Sequence, residues 1–169
     1  AIALNFYNNS GTIDVDRATT TLLIGAAVLL LGWAWSSYNR FVLQRELIDN
    51  SWSTVDTELR RRYDLIPNLV ATVKGYAAHE RDTLEAVIRA RDQAVAATGA
   101  PAEQAPAENL LVDGLKRLFA VAEAYPDLRA DRHFLELQLE LAATENRIQA
   151  ARRIFNGNVR DLNRRVEQV

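Results

Sequence analysis

One segment constrains this chain more than any other: from Ala18 to Asn39 there is no charged residue. The centre of the segment reads TTTLLIGAAVLLLGWAWSSY. As a helix its 22 residues span about 33 Å, close to the roughly 30 Å hydrocarbon core of a bilayer. Trp33, Trp35 and Tyr38 gather at one end, where amphipathic rings favour the headgroup level. Gly25 and Gly32 weaken a helix in water but are ordinary in a lipid-facing one. A buried central helix is the competing reading, but the rest of the chain is too small to cover such a helix on all sides. A signal peptide wants a basic leader, whereas Asp14, Asp16 and Arg17 precede this run. The sequence therefore predicts a transmembrane helix over 18–39, anchored by Leu22, Leu23, Ile24, Val28, Leu29, Leu30, Leu31, Trp33 and Trp35. Residues 1–17 form a short extramembrane segment and residues 40–169 a second domain. Arg40 and Arg45 follow the span and Arg17 alone precedes it closely, which places the C-terminal domain in the cytoplasm.

Beyond the span the apolar residues return every three or four positions: Phe41, Ile48, Trp52, Val55, Leu59, Ile66, Leu69, Val73, Tyr76 and Leu84. This is helical periodicity. It predicts one long helix running to about Ala97, bent at Pro67, which lacks the N–H for the bond back to Tyr63. Asp64 is placed to cap a new helical start there, and Gly75 weakens the helix again. The stretch 97–109, ATGAPAEQAPAEN, holds one Gly and two Pro and predicts a loop. A short helix with Leu111, Leu115, Leu118, Phe119 and Ala122 on one face follows and stops ahead of Tyr125–Pro126. Asp131 then reads as the N-cap of a last long helix whose stripe includes Phe134, Leu137, Leu141, Ile148, Ala151, Phe155, Val159, Leu162 and Val166.

The expected fold is all-α: a single N-terminal transmembrane helix followed by an antiparallel bundle of long helices. The packing or oligomer-interface residues are Phe41, Ile48, Trp52, Val55, Leu59, Tyr63, Ile66, Pro67 and Asn68. On these lengths the first long helix outreaches the last by roughly 30 Å. Phe41, Ile48 and Trp52 would then lack an intrachain partner. An exposed apolar stripe beside a membrane asks for a mate: the C-terminal helix if the packing is staggered, another copy of the chain, or a different membrane protein, and a homo-oligomer is expected. Arg60, Arg61 and Arg62 lie among Asp56, Glu58 and Asp64, and ion pairing within the domain or between subunits accounts for them better than contact with lipid.

The residues point away from catalysis. The chain has no cysteine, which excludes disulfides and thiolate chemistry. His79 and His133 are its only histidines, and His79–Glu80 has no second histidine at zinc-protease spacing. A cross-helix set of His79, Glu80, His133 and Glu136 offers too few ligands for a convincing metal centre. No Gly-rich phosphate loop is present. Twenty basic and 22 acidic residues leave no net basic character for nucleic acid. No enzyme, cofactor, nucleic-acid partner or small-molecule substrate is expected.

The run YNRFVLQRELIDN over 38–50 leads into SWSTVDTELRRRYDLIPNLVATVKGYAAHERDTLEAVIRAR over 51–91. This closely resembles the LemA family, most specifically over Arg61, Arg62, Tyr63, Asp64, Leu65, Ile66, Pro67, Asn68 and Leu69, with Lys74, Gly75, Tyr76, His79 and Glu80 extending the likeness. FLELQLELAATENRIQAARRIFNGNVRDLNRRV over 134–166 resembles the family's second block. The resemblance implies a bacterial inner-membrane protein with one N-terminal transmembrane helix and a cytoplasmic helical bundle, without an established enzymatic activity. Some members are magnetosome-membrane proteins. It assigns no active site. Phe155 stands where the family usually has Tyr. Relatives usually continue past the last helix into a Phe-Pro-containing apolar tail, which would lie beyond Val169.

Overall fold

The computed structural model describes residues 2–167, with side chains over 19–167. The N-terminal segment read from the sequence as residues 1–17 therefore lies outside the described side chains. Among the described residues the fold is all-α, in the order α1 (Ile2–Tyr76), α2 (Arg81–Ala96), α3 (Pro101–Ala122), α4 (Pro126–Ala130) and α5 (Arg132–Glu167). The chain divides into two compact units. One comprises the residues up to Leu47 together with those from Asp161 onward; the other is Ile48–Arg160.

The second unit holds the core. From α1 it takes Val55, Leu59, Tyr63, Ile66, Leu69 and Val73. Leu84, Val87, Ala90 and Ala94 of α2 and Leu111, Leu115, Leu118 and Ala122 of α3 complete two more faces. α5 adds Phe134, Leu137, Leu141, Ile148 and Ala151. The stripes repeat at three and four residues, so each helix presents one continuous apolar face. At Gly114 a β-carbon would stand 3.5 Å from Val87 Cγ2, so this is a close approach between α3 and α2.

α1 and α5 run antiparallel across this unit. Tyr76 Oη donates to Asp131 Oδ2 at 2.9 Å, Arg147 Nε to Glu58 Oε2 at 2.8 Å, and the rings of Trp52 and Phe155 lie 5.2 Å apart. Residue numbers thus fall on α5 as they rise on α1. Asp131 caps α5 as the sequence predicts, accepting the Phe134 amide at 2.7 Å.

Three expectations from the sequence are corrected. The first long helix does not run to Ala97 with a bend or new start at Pro67. α1 passes through Pro67 and ends at Tyr76, and α2 begins at Arg81. The break follows Gly75, the weak point of the helix, and buries Ala77 at the corner, where its amide still reaches the Val73 carbonyl at 2.8 Å. Folding back there puts the apolar face of α2 into the core.

The loop expected over 97–109 contracts to 97–100. Pro101 opens α3 at the position where a missing N–H costs nothing, and Pro106 forfeits one ladder bond in the second turn. Gly99 makes the turn at φ 115°, a left-handed conformation that favours glycine.

The overhang disappears as well. With α1 ending at Tyr76, its length beyond the span is about 55 Å, as is that of α5. Trp52 therefore has Phe155 as an intrachain partner, and Phe41 and Ile48 are half-buried.

Candidate functional site

Two features of the chain stand out chemically: the apolar span and a buried ionic network. In the first unit, the most apolar 18-residue window of α1 has a mean hydropathy of 1.5, and none of it is buried. Leu22, Leu23, Ile24, Val28, Leu29, Leu30, Leu31, Trp33 and Trp35 are all exposed, Leu29 at 75%. A soluble protein does not leave nine large apolar side chains of one segment in water. The helix is long and apolar enough to cross a membrane, and the sequence-predicted anchor residues all lie on it.

The sequence-predicted packing residues divide into two groups. Val55, Leu59, Tyr63 and Ile66 are buried within the chain, Trp52 packs on Phe155, and Phe41 and Ile48 are half-buried. Pro67 and Asn68 lie on the exposed face of α1.

The ionic network grows from the three-arginine run, whose members point in different directions at helical angles of about 100°. Arg60 stays local, with its Nε 2.9 Å from Asp56. Arg61 reaches Glu140 on α5 at 3.0 Å across an exposed edge. Arg62 turns inward and is 3% exposed. Its guanidinium pairs with Glu108 of α3, itself 2% exposed, and with Glu145 of α5 at 2.9 Å. Tyr63 donates its hydroxyl to the second oxygen of Glu108. A few residues along, Arg147 joins Glu58 to the hydroxyl of fully buried Thr144 at 2.9 Å.

Burial lowers the pKa of the Arg62 guanidinium from its ordinary value, and the Glu145 carboxylate opposes that shift. Burial likewise raises the Tyr63 phenol, against the pull of Arg62. Arg62 Nε is buried without a hydrogen-bond partner among the described residues. A buried ion pair is costly to desolvate, and its best-attested use is to fix one register among several apolar alternatives. Here the groups bind three helices into one arrangement.

Sequence reasoning anticipated pairing of the arginine run but missed Glu108. A signal was present: Glu108 continues the stripe Leu111, Leu115, Leu118, Ala122 at helical spacing, a charge where an apolar residue belongs. His79 and His133 are both exposed. No three metal-ligating side chains come together among the described residues.

No protein of curated function matches the chain. The model of the LemA family matches residues 51–169, well over half of the sequence. The match begins within α1, after the apolar span, and takes in all four later helices and the whole ionic network. The chain belongs to the LemA family.

Proposed function

We propose that this protein is a single-pass protein of the bacterial inner membrane whose cytoplasmic bundle self-associates as a structural scaffold. Residence in a magnetosome membrane is a narrower form of the same reading. The charge flanks support the orientation, since Arg40 and Arg45 follow the span closely and only Arg17 precedes it closely.

The observation that carries self-association is on α5. Leu135 and Leu139 stand one turn apart, 44% and 71% exposed, on the side away from the buried stripe. Isolated exposed leucines are common in soluble proteins. On a tethered bundle they matter more, because confinement to one membrane raises the effective concentration of copies and makes weak contacts count. The Phe41-to-Ile66 stripe is largely used within the chain, so it supports assembly less than its sequence pattern implied.

A second reading, an adaptor that recruits another membrane protein, is favoured by an open groove between α1 and α2. Trp52, Asp56, Tyr63, Arg91 and Val95 line it, mixing aromatic, aliphatic and charged groups suited to a peptide. Particle mass after mild detergent extraction separates the two. The scaffold reading expects multimers that Leu139→Glu dissociates. A monomer at every protein density, unaffected by that change, overturns it.

A further inference from the structure

The unit formed by the residues up to Leu47 and those from Asp161 onward contains a surface that neither the span nor the core uses. Just past Tyr38, α1 leaves Val42, Leu43 and Leu47 exposed, and the end of α5 leaves Val166 exposed. Beyond the span the same unit carries four arginines, Arg40, Arg45, Arg164 and Arg165, all exposed. Arg164 pairs with Asp161. Arg40, Arg45 and Arg165 have no ion-pair partner among the described residues. The acidic groups of this surface are Glu46, Asp161 and Glu167. By helical rise, Val42 stands about 6 Å beyond Tyr38 and Leu47 about 14 Å beyond it. The headgroup layer is only about 5–8 Å deep on each side. This mixture of aliphatic side chains and guanidinium groups therefore begins where lipid phosphates are.

We propose that the surface formed by Arg40, Val42, Leu43, Arg45, Arg165 and Val166 is a second, peripheral membrane contact that takes anionic phospholipid headgroups. The proposal rests on α1 as a membrane span. Guanidinium groups match phosphate bidentately, and the aliphatic side chains beside them enter the acyl boundary, the pairing by which interfacial helices bind anionic lipid. A second copy of the chain is the competing occupant. Lipid is favoured because the surface continues directly from the span and its charges keep a positive balance, with Arg40, Arg45, Arg164 and Arg165 set against Glu46, Asp161 and Glu167.

Since the chain has no cysteine, Val166→Cys gives a single attachment point for an environment-sensitive fluorophore. The labelled full-length chain is placed in nanodiscs of phosphatidylcholine, alone or mixed with phosphatidylglycerol, and quenched with iodide from the water. The expected result is a severalfold loss of quenching with phosphatidylglycerol. Quenching returns on adding salt and in the triple variant Arg40→Gln, Arg45→Gln, Arg165→Gln. Equal quenching in both lipids, with the chain still embedded, overturns the peripheral contact and leaves the span standing. Protection in both lipids that vanishes on diluting the chain in lipid assigns the surface to a second copy, and overturns it too. Failure of the chain to enter nanodiscs removes the span and the contact together.

Discussion

The Arg91 side chain donates its Nε–H to the backbone carbonyl of Tyr63 at 3.3 Å, and that carbonyl is the one Pro67 leaves without a donor in its own helix. An interior proline costs about 3 kcal/mol, partly because the carbonyl four residues earlier loses its partner. Here a residue of α2 supplies the missing donor. Pro67 itself faces outward, while Ile66 and Leu69 beside it are fully buried. The helix can therefore continue where local rules favour a kink or a break.

This predicts coupling between two positions distant in sequence. Arg91→Ala should lower stability by about 1–2 kcal/mol, as expected when a partly buried carbonyl loses its partner. In a Pro67→Ala background, where the amide of residue 67 can serve Tyr63, the same change should cost distinctly less. Thermal unfolding of the detergent-solubilised chain, followed by circular dichroism over the double-mutant cycle, measures the difference. Strictly additive effects would show that Arg91 does not compensate for the proline.

The buried pair predicts a larger, asymmetric response. Glu108→Ala removes the enclosed partner of the Arg62 guanidinium and leaves only the more exposed Glu145 carboxylate to balance it, and breaking a buried pair from one side costs about 3–5 kcal/mol. Arg62→Met together with Glu108→Leu should recover most of that loss. If either single variant melts like the parent, the pair does not hold α1 to α3.

Asp131 accepts the Phe134 amide and the Tyr76 hydroxyl, which together hold its carboxyl pKa below the ordinary value. A depressed folded pKa means that its contribution is fully present above the unfolded carboxylate value of about 4 and fades as pH falls through the lower folded value. Asp131→Asn keeps a capping side chain but does not titrate. Its melting temperature should therefore fall less steeply than the parent's as pH drops below about 4. Identical slopes would remove Asp131 from the acid response.

The Tyr63 phenol works at the other end of the pH scale. Burial raises its pKa above the ordinary value of about 10. Its contribution is fully present below that value and disappears as pH rises through the folded pKa. Tyr63→Phe should flatten the alkaline limb of the stability profile. Tyr76 and Tyr125 are also raised, by the Asp131 hydrogen bond and by burial, so ultraviolet titration should find late-ionising phenols in the parent and one fewer in the variant.

These relationships show what the sequence could reveal and why it stopped. The span was legible because a hydrocarbon layer demands about twenty consecutive apolar residues, a condition that a single window can test. The cap at Asp131 and the stripe from Val55 to Ile66 were legible because their causes lie within a few residues. The end of α1 was not. Tyr76 and Leu84 keep nearly the same periodicity across the break, and Pro67 is the stronger local breaker. The donor that meets the carbonyl freed by Pro67 comes from Arg91, 28 residues beyond it. Glu108 was misplaced in a loop because Pro101 and Pro106 suggested one, so its stripe position went unused. Its partner Arg62 is 46 residues away, beyond the reach of any local pattern.

The proposed function depends on the uncharged stretch of α1 living in lipid and tethering the bundle. Alkaline carbonate extraction of membranes from expressing cells tests it directly, with the full chain compared against a variant carrying Leu23→Arg, Leu29→Arg and Leu30→Arg. The full chain should stay in the membrane pellet and come out only with detergent, while the variant moves to the soluble fraction with its bundle still helical. A full chain released by carbonate and monodisperse in buffer without detergent would contradict the account.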